Sequence, residues 1–281
     1  MSISPPKAEY LPIDKLRPFD GHPFHVKDDD EMDQLVFSVL TQGLLTSITV
    51  RATATDEYEV ISGHRRLRAC QKAGITTVPA LIYSMDRDAA IIALVDSNLH
   101  REHLLPSEKA YAYKMKLEAM NHQGKTSGQV GQKWTRDLIA DASNDSSRQI
   151  QRYIRLTNLI PEILQMVDQG KIALTPAVEL SYLREPEQRD LLETMESEDC
   201  TPSLSQSQQL KKLSQSGELD MDRIFELMRQ PKANQEEKLR FDMKEIRRYF
   251  PKNYSTEKIQ QTILQLLKRY ERNWRRNRDK R

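Results

Sequence analysis

The apolar positions change period several times along the chain, and each change marks an element. Pro5, Pro6, Pro12, Pro18 and Pro23 forbid a long helix near the start, so Tyr10-Leu11-Pro12-Ile13 reads as a short strand. The acidic run Asp28-Asp29-Asp30-Glu31 opens a helix, where carboxylates suit the positive end of the helix dipole. Met32, Leu35, Val36, Val39 and Leu40 then recur at helical spacing, and Gln42-Gly43 stops the run. Ser47 to Arg51 is β-branched, a turn follows from Thr53 to Asp56, and Glu57 to Ser62 alternates polar and apolar residues. Gly63 breaks that strand, and a helix from Arg65 to Lys72 ends at Gly74. Val78 to Tyr83 is a third strand, followed by a long helix from Asp86 to about Glu102 carrying Ala89, Ile92, Ala93 and Val95. Pro106 fits the first turn of a helix running to about His122.

The pattern changes near residue 123. A Gly- and Ser-containing loop covers 123–128, and only helical periods follow, to about residue 195. Ser203 to Ser216 is rich in Ser and Gln and reads as a helix or a linker; Pro231 to Glu237 reads as a linker. Arg240-Phe241-Asp242 is a candidate strand, and Ser255 to Arg276 a helix with Ile259, Ile263, Leu266, Leu267 and Tyr270 on one face. The expected fold class is α+β: a mixed module over 1–122, an all-helical middle domain over 123–230, and a small C-terminal segment over 238–281.

Composition narrows the setting. The 281 residues leave room for two or three small domains, and a net charge of +2 says little about partners. Cys70 and Cys200 stand in no metal-like spacing, so a zinc site or a disulfide framework is not expected. There is no apolar run of signal-peptide or membrane-spanning length. The expected location is the cytoplasm.

The sharpest candidate chemistry lies at Ile61-Ser62-Gly63-His64-Arg65-Arg66-Leu67-Arg68-Ala69, where a strand ends at a glycine and a helix begins at once. A helix N-terminus offers free N–H groups and partial positive charge, a geometry that binds phosphate. Arg65, Arg66 and Arg68 add forked donors. On spacing alone this stands level with a plain tight turn before a helix with solvated arginines.

Gly63 to Ala69 resembles the G-E-R-R-x-R-A motif of the ParB partition family. Leu44 to Arg51 resembles that family's first motif, L-x-Q-P-I-x-V-R. Ser97-Asn98-Leu99-His100-Arg101-Glu102-His103-Leu104, with Pro106 and Glu108, resembles its third, E-N-x-x-R-x-x-L-x-P-x-E. The resemblance implies a ParB/sulfiredoxin-like N-terminal fold, a pocket for CTP with Mg2+, and a dimer that closes around DNA as a clamp. It assigns the triphosphate to Gly63, Arg65, Arg66 and Arg68, with Thr46, Ser47, Arg51, His64, Ser97, Asn98 and Arg101 as further residues of the same pocket. The family's two glutamates are His64 and Ser97 here, with Asp96 one position away. Carboxylates are the natural magnesium ligands, so nucleotide binding with weak or absent CTP hydrolysis is expected, without assigned catalytic residues or metal ligands. The Gly-x-x-Arg turn is also similar to that of sulfiredoxin and of a related ADP-dependent kinase, which leaves an ATP- or ADP-using phosphotransferase as an alternative. Cys70 is expected to be a packed residue rather than a nucleophile.

The middle domain contains a candidate helix-turn-helix. Thr135 is placed to cap a helix from Arg136 to Ala142, with Leu138 and Ile139 as its apolar side. Ser143 to Ser146 is the turn, and Ser146 or Ser147 caps a second helix from Arg148 to Thr157. Ile150, Ile154 and Tyr153 face inward, leaving Ser147, Arg148, Gln149, Gln151, Arg152 and Arg155 as candidate DNA-binding residues, since Arg reads guanine and Gln reads adenine in the major groove. The helices over 161–170 and 176–183 read as support, and Lys171 to Ala177 resembles the family's segment at that point. The tail from Lys268 to Arg281 carries eight basic residues around Tyr270 and Trp274, suited to phosphate contact. The apolar stripe before it suits packing in a homodimer. The expected partners are double-stranded DNA, a second copy and, by resemblance, a ParA-type ATPase, with no membrane. The alternative is a nucleotide-independent transcriptional regulator that keeps only the DNA-binding function.

Overall fold

The computed structural model describes residues 5–99, 101, 104–122, 129–141, 143, 145–230, 246–251 and 253–278. The loop expected over 123–128, the linker over 231–237, the strand over 240–242, the last three residues of the basic tail, and His100, Glu102 and His103 of the third motif lie outside the described residues. Residues 1–230 form one compact unit and residues 231–281 a second.

The first unit begins with a five-stranded mixed sheet: β1 (Lys7–Pro12), β2 (Leu16–Pro18), β3 (Ile48–Ala52), β4 (Tyr58–Ser62) and β5 (Thr77–Tyr83). Their spatial order is β1-β5-β3-β4-β2, with β1/β5 and β3/β4 antiparallel and β3/β5 and β2/β4 parallel. The first strand is longer than Tyr10–Ile13, because every residue from Lys7 to Pro12 finds a register partner on β5. Helix α1 (Asp30–Gln42) starts where the acidic run predicts, with Asp29 accepting from the Met32 amide at 3.0 Å as its cap. It packs with α2 (His64–Lys72) on the sheet through Met32, Val39, Leu67 and Cys70, which are fully or nearly buried. Cys70 is thus a core residue, and burial pushes its thiol up. Leu40, expected inside, is 61% exposed beside an exposed Phe37. The inward stripe of α1 is narrower than the apolar spacing suggests.

A second apolar layer joins Phe19, Phe24 and Ile61 to Ala90, Leu94 and Val95 of α3 (Arg87–Leu99) and to Ala112 of α4 (Pro106–Met120). Helix α4 has buried residues all around its circumference: Ala110 lies in the helical core beyond it, Ala112 in the layer next to the sheet, and Tyr113 against the helix-turn-helix. The mixed module and the helices therefore share one helix and form one unit. The remaining helices are α5 (Gln129–Asp141), α6 (Ser147–Leu156), α7 (Pro161–Asp168), α8 (Leu174–Leu180), α9 (Glu185–Ser197), α10 (Leu204–Ser216) and α11 (Met221–Arg229). Between helix and linker for 203–216, the structure decides for helix: Ser203 caps it with a reciprocal Gln206 side chain, and Leu210 is fully buried. In the second unit, α12 (Thr256–Arg278) carries Leu264, Leu266, Leu267 and Tyr270, each more than half exposed.

A buried polar knot ties α4 to the turn before α6. Asp145 accepts from the Tyr113 hydroxyl at 2.7 Å and from Lys109 Nζ at 3.0 Å. Burial, and then this bond, push the Tyr113 hydroxyl well above the ordinary tyrosine value. Truncating the acceptor strands the buried Tyr113 hydroxyl and leaves half-buried Lys109 without its carboxylate. Asp145→Ala is therefore expected to cost about 1–3 kcal/mol, and Tyr113→Phe less; urea unfolding midpoints check this, and equal losses would contradict the assignment.

Candidate phosphate cradle and nucleic-acid interface

The cradle is built by strand register. Antiparallel pairing sets Thr49 opposite Ser62, so the residues before β3 lie beside the turn that follows β4. Gly63 holds that turn at φ 104°, ψ 23°, in the left-handed region that glycine adopts without strain. Helix α2 begins at the next residue, with the Leu67 amide bonding the Gly63 carbonyl at 2.8 Å. The amides of His64, Arg65 and Arg66 thus belong to the first turn, where no helical carbonyl is available to them.

Arg66 folds back over the turn. Its Nη1 donates to the Thr46 and Ser47 carbonyls at 2.7 and 2.9 Å, and a Cβ on Gly63 would stand 3.1 Å from its guanidinium. Thr46 and Ser47 are therefore held at the cradle by their backbone, and Arg66 positions them. Arg65 reaches Glu31 at 3.1 Å and Asp29 at 3.4 Å, and exposed Arg68 forms a two-pronged pair with Asp28 at 2.6 and 3.2 Å. The acidic start of α1 thus sits against two of the arginines that the resemblance assigns to triphosphate.

Two candidates differ from expectation. Arg51 is drawn away from the cradle: it sits opposite Glu59, two strand positions beyond Thr49, and bonds that carboxylate at 2.6 Å with both side chains largely buried. His64 is 93% buried and makes no hydrogen bond of good geometry through either ring nitrogen. Its ring instead stacks on His22, centroids 3.8 Å apart, and His22 Nε2 is likewise buried without a partner. Burial, then the neighbouring His22 and Arg101, push His64 down to about 3; burial, then Arg101, push His22 down to about 4. Sequence reasoning missed His22. Gly21-His22-Pro23 carries no spacing that signals a site, and only the fold brings it to the cradle.

The third motif lies at the end of α3. Asn98 is 98% buried; its amide donates to the Leu94 carbonyl at 2.8 Å, and its Oδ1 has no partner. Exposed Ser97 bonds back to the Leu94 carbonyl at 2.9 Å. Asp96 is committed to the buried ammonium of Lys116. Arg101 lies over the Phe24 ring at 5.9 Å, near enough to Arg65 and His64 to influence both.

The helix-turn-helix is formed by α5 and α6. Thr135 is buried in the interior of α5, because the helix begins at Gln129 rather than at Arg136; it is not a cap. Ser146 is the cap of α6, accepting from the Gln149 amide at 3.2 Å. Ile150 is fully buried, and Tyr153 and Ile154 pack beside it. Arg148 and Gln151 are exposed, while Ser147, Gln149 and Arg152 are half-buried. Arg152 bonds Gln149 at 3.0 Å and Thr175 at 2.6 Å, joining the outward face of α6 to the start of α8. Arg155, expected to point outward, instead lies 3.8 Å over the Tyr182 ring and donates to the Ser181 carbonyl at 3.2 Å. The ring face attracts the guanidinium, while its Nε is buried without a hydrogen-bond partner.

The architecture is an α+β domain with a glycine turn that opens a helix, a candidate phosphate cradle, joined through one shared helix to a helix-turn-helix. Residues 3–99 match the ParB N-terminal domain. It is 34% identical over 164 residues to a nucleoid occlusion protein of Lysinibacillus sphaericus, covering 58% of this chain and 51% of the relative. It is 35% identical over 180 residues to the chromosome-partitioning protein Spo0J of Thermus thermophilus, covering 64% of this chain and 61% of the relative. The chain thus spans between half and two thirds of the curated relatives it matches. Among solved structures, the C-terminally truncated chromosome-partitioning protein ParB of Caulobacter crescentus complexed with CTP-gamma-S shares 25% identity, at a TM-score of 0.32 over 64% of this chain and 94% of that one.

The histidine pair makes folding sensitive to acid. Both imidazoles are neutral in the folded chain and titrate near 6.5 once unfolded, so their contribution is intact above about pH 6.5 and drains away as pH falls toward the folded values. The loss is up to about 1.4 kcal/mol per imidazole per pH unit. Thermal unfolding is expected to weaken more steeply below about pH 6.5 in the wild type than in His64→Gln; parallel curves would show that the pair is not buried as described.

Proposed function

We propose that this chain is a DNA-binding partition protein whose helix-turn-helix engages a centromere-like DNA site and whose Gly63 cradle takes a nucleoside triphosphate, CTP by resemblance. The bound nucleotide lets a dimer close around DNA. The observation that carries the reading is the convergence at one turn of Thr46, Ser47, Gly63, His64, Arg65 and Arg66, with Arg101 electrostatically close. Free helix N–H groups and guanidinium charge there suit a chain of phosphates. The match of residues 3–99 to the ParB N-terminal domain and the likeness to a chromosome-partitioning protein support the DNA side, as do the exposed Arg148 and Gln151 on a capped second helix. The exposed Leu264, Leu266, Leu267 and Tyr270 on α12 support packing against a second copy, since an apolar stripe of that kind is costly to leave in water. A ParA-type ATPase is the proposed further partner, and the basic tail the proposed nonspecific DNA contact.

A second reading rests on how fully the arginines are engaged. Arg66 serves backbone carbonyls, and Arg65 and Arg68 face the acids of α1, as they would in a site-specific regulator that uses the turn only as structure.

Retention on closed circular DNA separates the two. Wild-type protein with CTP is expected to stay on a closed circle carrying its site and to run off the linear form, and Arg65→Ala to lose this difference. Arg148→Ala or Gln151→Ala should weaken site binding by about 1–3 kcal/mol each while leaving nonspecific binding nearly unchanged. Equal retention of wild type and Arg65→Ala, with and without CTP, would favour the regulator.

A further inference from the structure

The resemblance implies a magnesium ion beside the triphosphate, and the described residues do not fit one. Magnesium asks for several hard oxygen ligands in near-octahedral array. Of the motif positions that carry glutamate in the family, two are His64 and Ser97 here, and Glu108 alone is kept. Asp96 is committed to Lys116, and Glu108 is spent on the His25 amide at 2.7 Å and the Leu105 amide at 3.0 Å. Asp28, Asp29 and Glu31 are paired with Arg68 and Arg65. Among the described residues no group of three or more His, Cys, Asp or Glu side chains could hold a metal.

Beside the cradle lies another feature: His64, the first residue of its helix, stacks on His22, and both His64 ring nitrogens and His22 Nε2 are buried without a hydrogen bond of good geometry, although the Val60 and Phe24 backbones lie near the rings. A buried polar group without a partner is destabilising, and its persistence calls for an occupant. We propose that the His22–His64 pair replaces magnesium: as a nucleoside triphosphate settles into the cradle, the imidazoles take up protons from solvent and hydrogen-bond phosphate oxygens, so the nucleotide binds without a divalent cation. This rests on the reading of the cradle as a nucleoside triphosphate site.

The charged surroundings of the pair explain why the proton waits for the ligand. Arg101 faces both rings, His25 and Glu108 influence His22, and Arg65 lies beyond Arg101. Among the described residues Glu108 is the carboxylate that acts on the pair, through His22, and its oxygens already serve backbone amides. Positive neighbours and burial hold the rings neutral in the free protein. A polyanion in contact reverses that balance, because an opposite charge at close range favours the ionised imidazole. The substitution of the family glutamate by His64 then follows from charge: a carboxylate needs a cation between it and phosphate, whereas an imidazolium does not.

The test is calorimetric CTP binding by the whole chain, in EDTA and in magnesium, between about pH 6 and pH 8 and in two buffers of different ionisation heat. The wild type is expected to bind about equally well with and without magnesium, to take up protons, and to bind about tenfold more tightly in EDTA at the acid end. His22→Gln/His64→Gln carries the same ligand titration, so loss of proton uptake in that variant isolates the pair; circular dichroism checks its folding. His64→Glu is expected to make binding magnesium-dependent. Binding that EDTA abolishes in the wild type, or that takes up no proton, overturns the inference and leaves the nucleotide reading standing. No binding of CTP, ATP, GTP or UTP by folded wild type under any of these conditions overturns both.

Discussion

Much of the candidate site depends on the left-handed turn at Gly63. A residue with a Cβ would be strained at φ 104° and would crowd the Arg66 guanidinium. That guanidinium is what holds the Thr46 and Ser47 carbonyls, so the first and second motifs are one structure rather than two neighbours. The turn also lets α2 begin immediately after β4, leaving the free amides of its first turn beside the end of β3. Remove the glycine and the strand pairing can survive, but the alignment of amides, carbonyls and guanidinium cannot.

Helix α4 bridges the distance from the cradle to the helix-turn-helix. Small residues let it sit against three apolar clusters at once, and its polar residues make specific buried bonds: Glu108 to the loop after β2, Lys116 to α3, and Lys109 and Tyr113 to the turn before α6. Such bonds lose much when one partner shifts, because each leaves a buried group unsatisfied. A change in the loop carrying His22 and His25 therefore has a physical route toward the helix-turn-helix through a single rigid element.

The elements that were legible in the sequence are those whose signals are local. Alternation in Glu57 to Ser62, the glycine stop, the acidic start of α1 and the Ser146 cap all point to what the chain forms. Local signals fail where long-range partners decide. Thr135 has the chemistry of a cap, but the helix extends upstream past it to Gln129. Arg51 and Arg155 read as free cations, yet Glu59 across the sheet and Tyr182 in a later segment claim them. His22 shows no pattern at all; its meaning comes from a ring in another element 42 positions along. The two substituted glutamates were visible as departures, but the replacement chemistry was not, because it needs the residue that only folding supplies.

The most direct measurement is the backbone amide spectrum of the isotopically labelled chain during titration with CTP. A triphosphate seated in the cradle must perturb the amides of His64, Arg65 and Arg66 first and most, with the ring nitrogens of His22 and His64 moving toward their protonated positions. Saturable shifts centred there are the result expected. Saturable shifts that fall elsewhere and leave those amides and rings unmoved would contradict the account of Gly63 as the turn that holds the nucleotide.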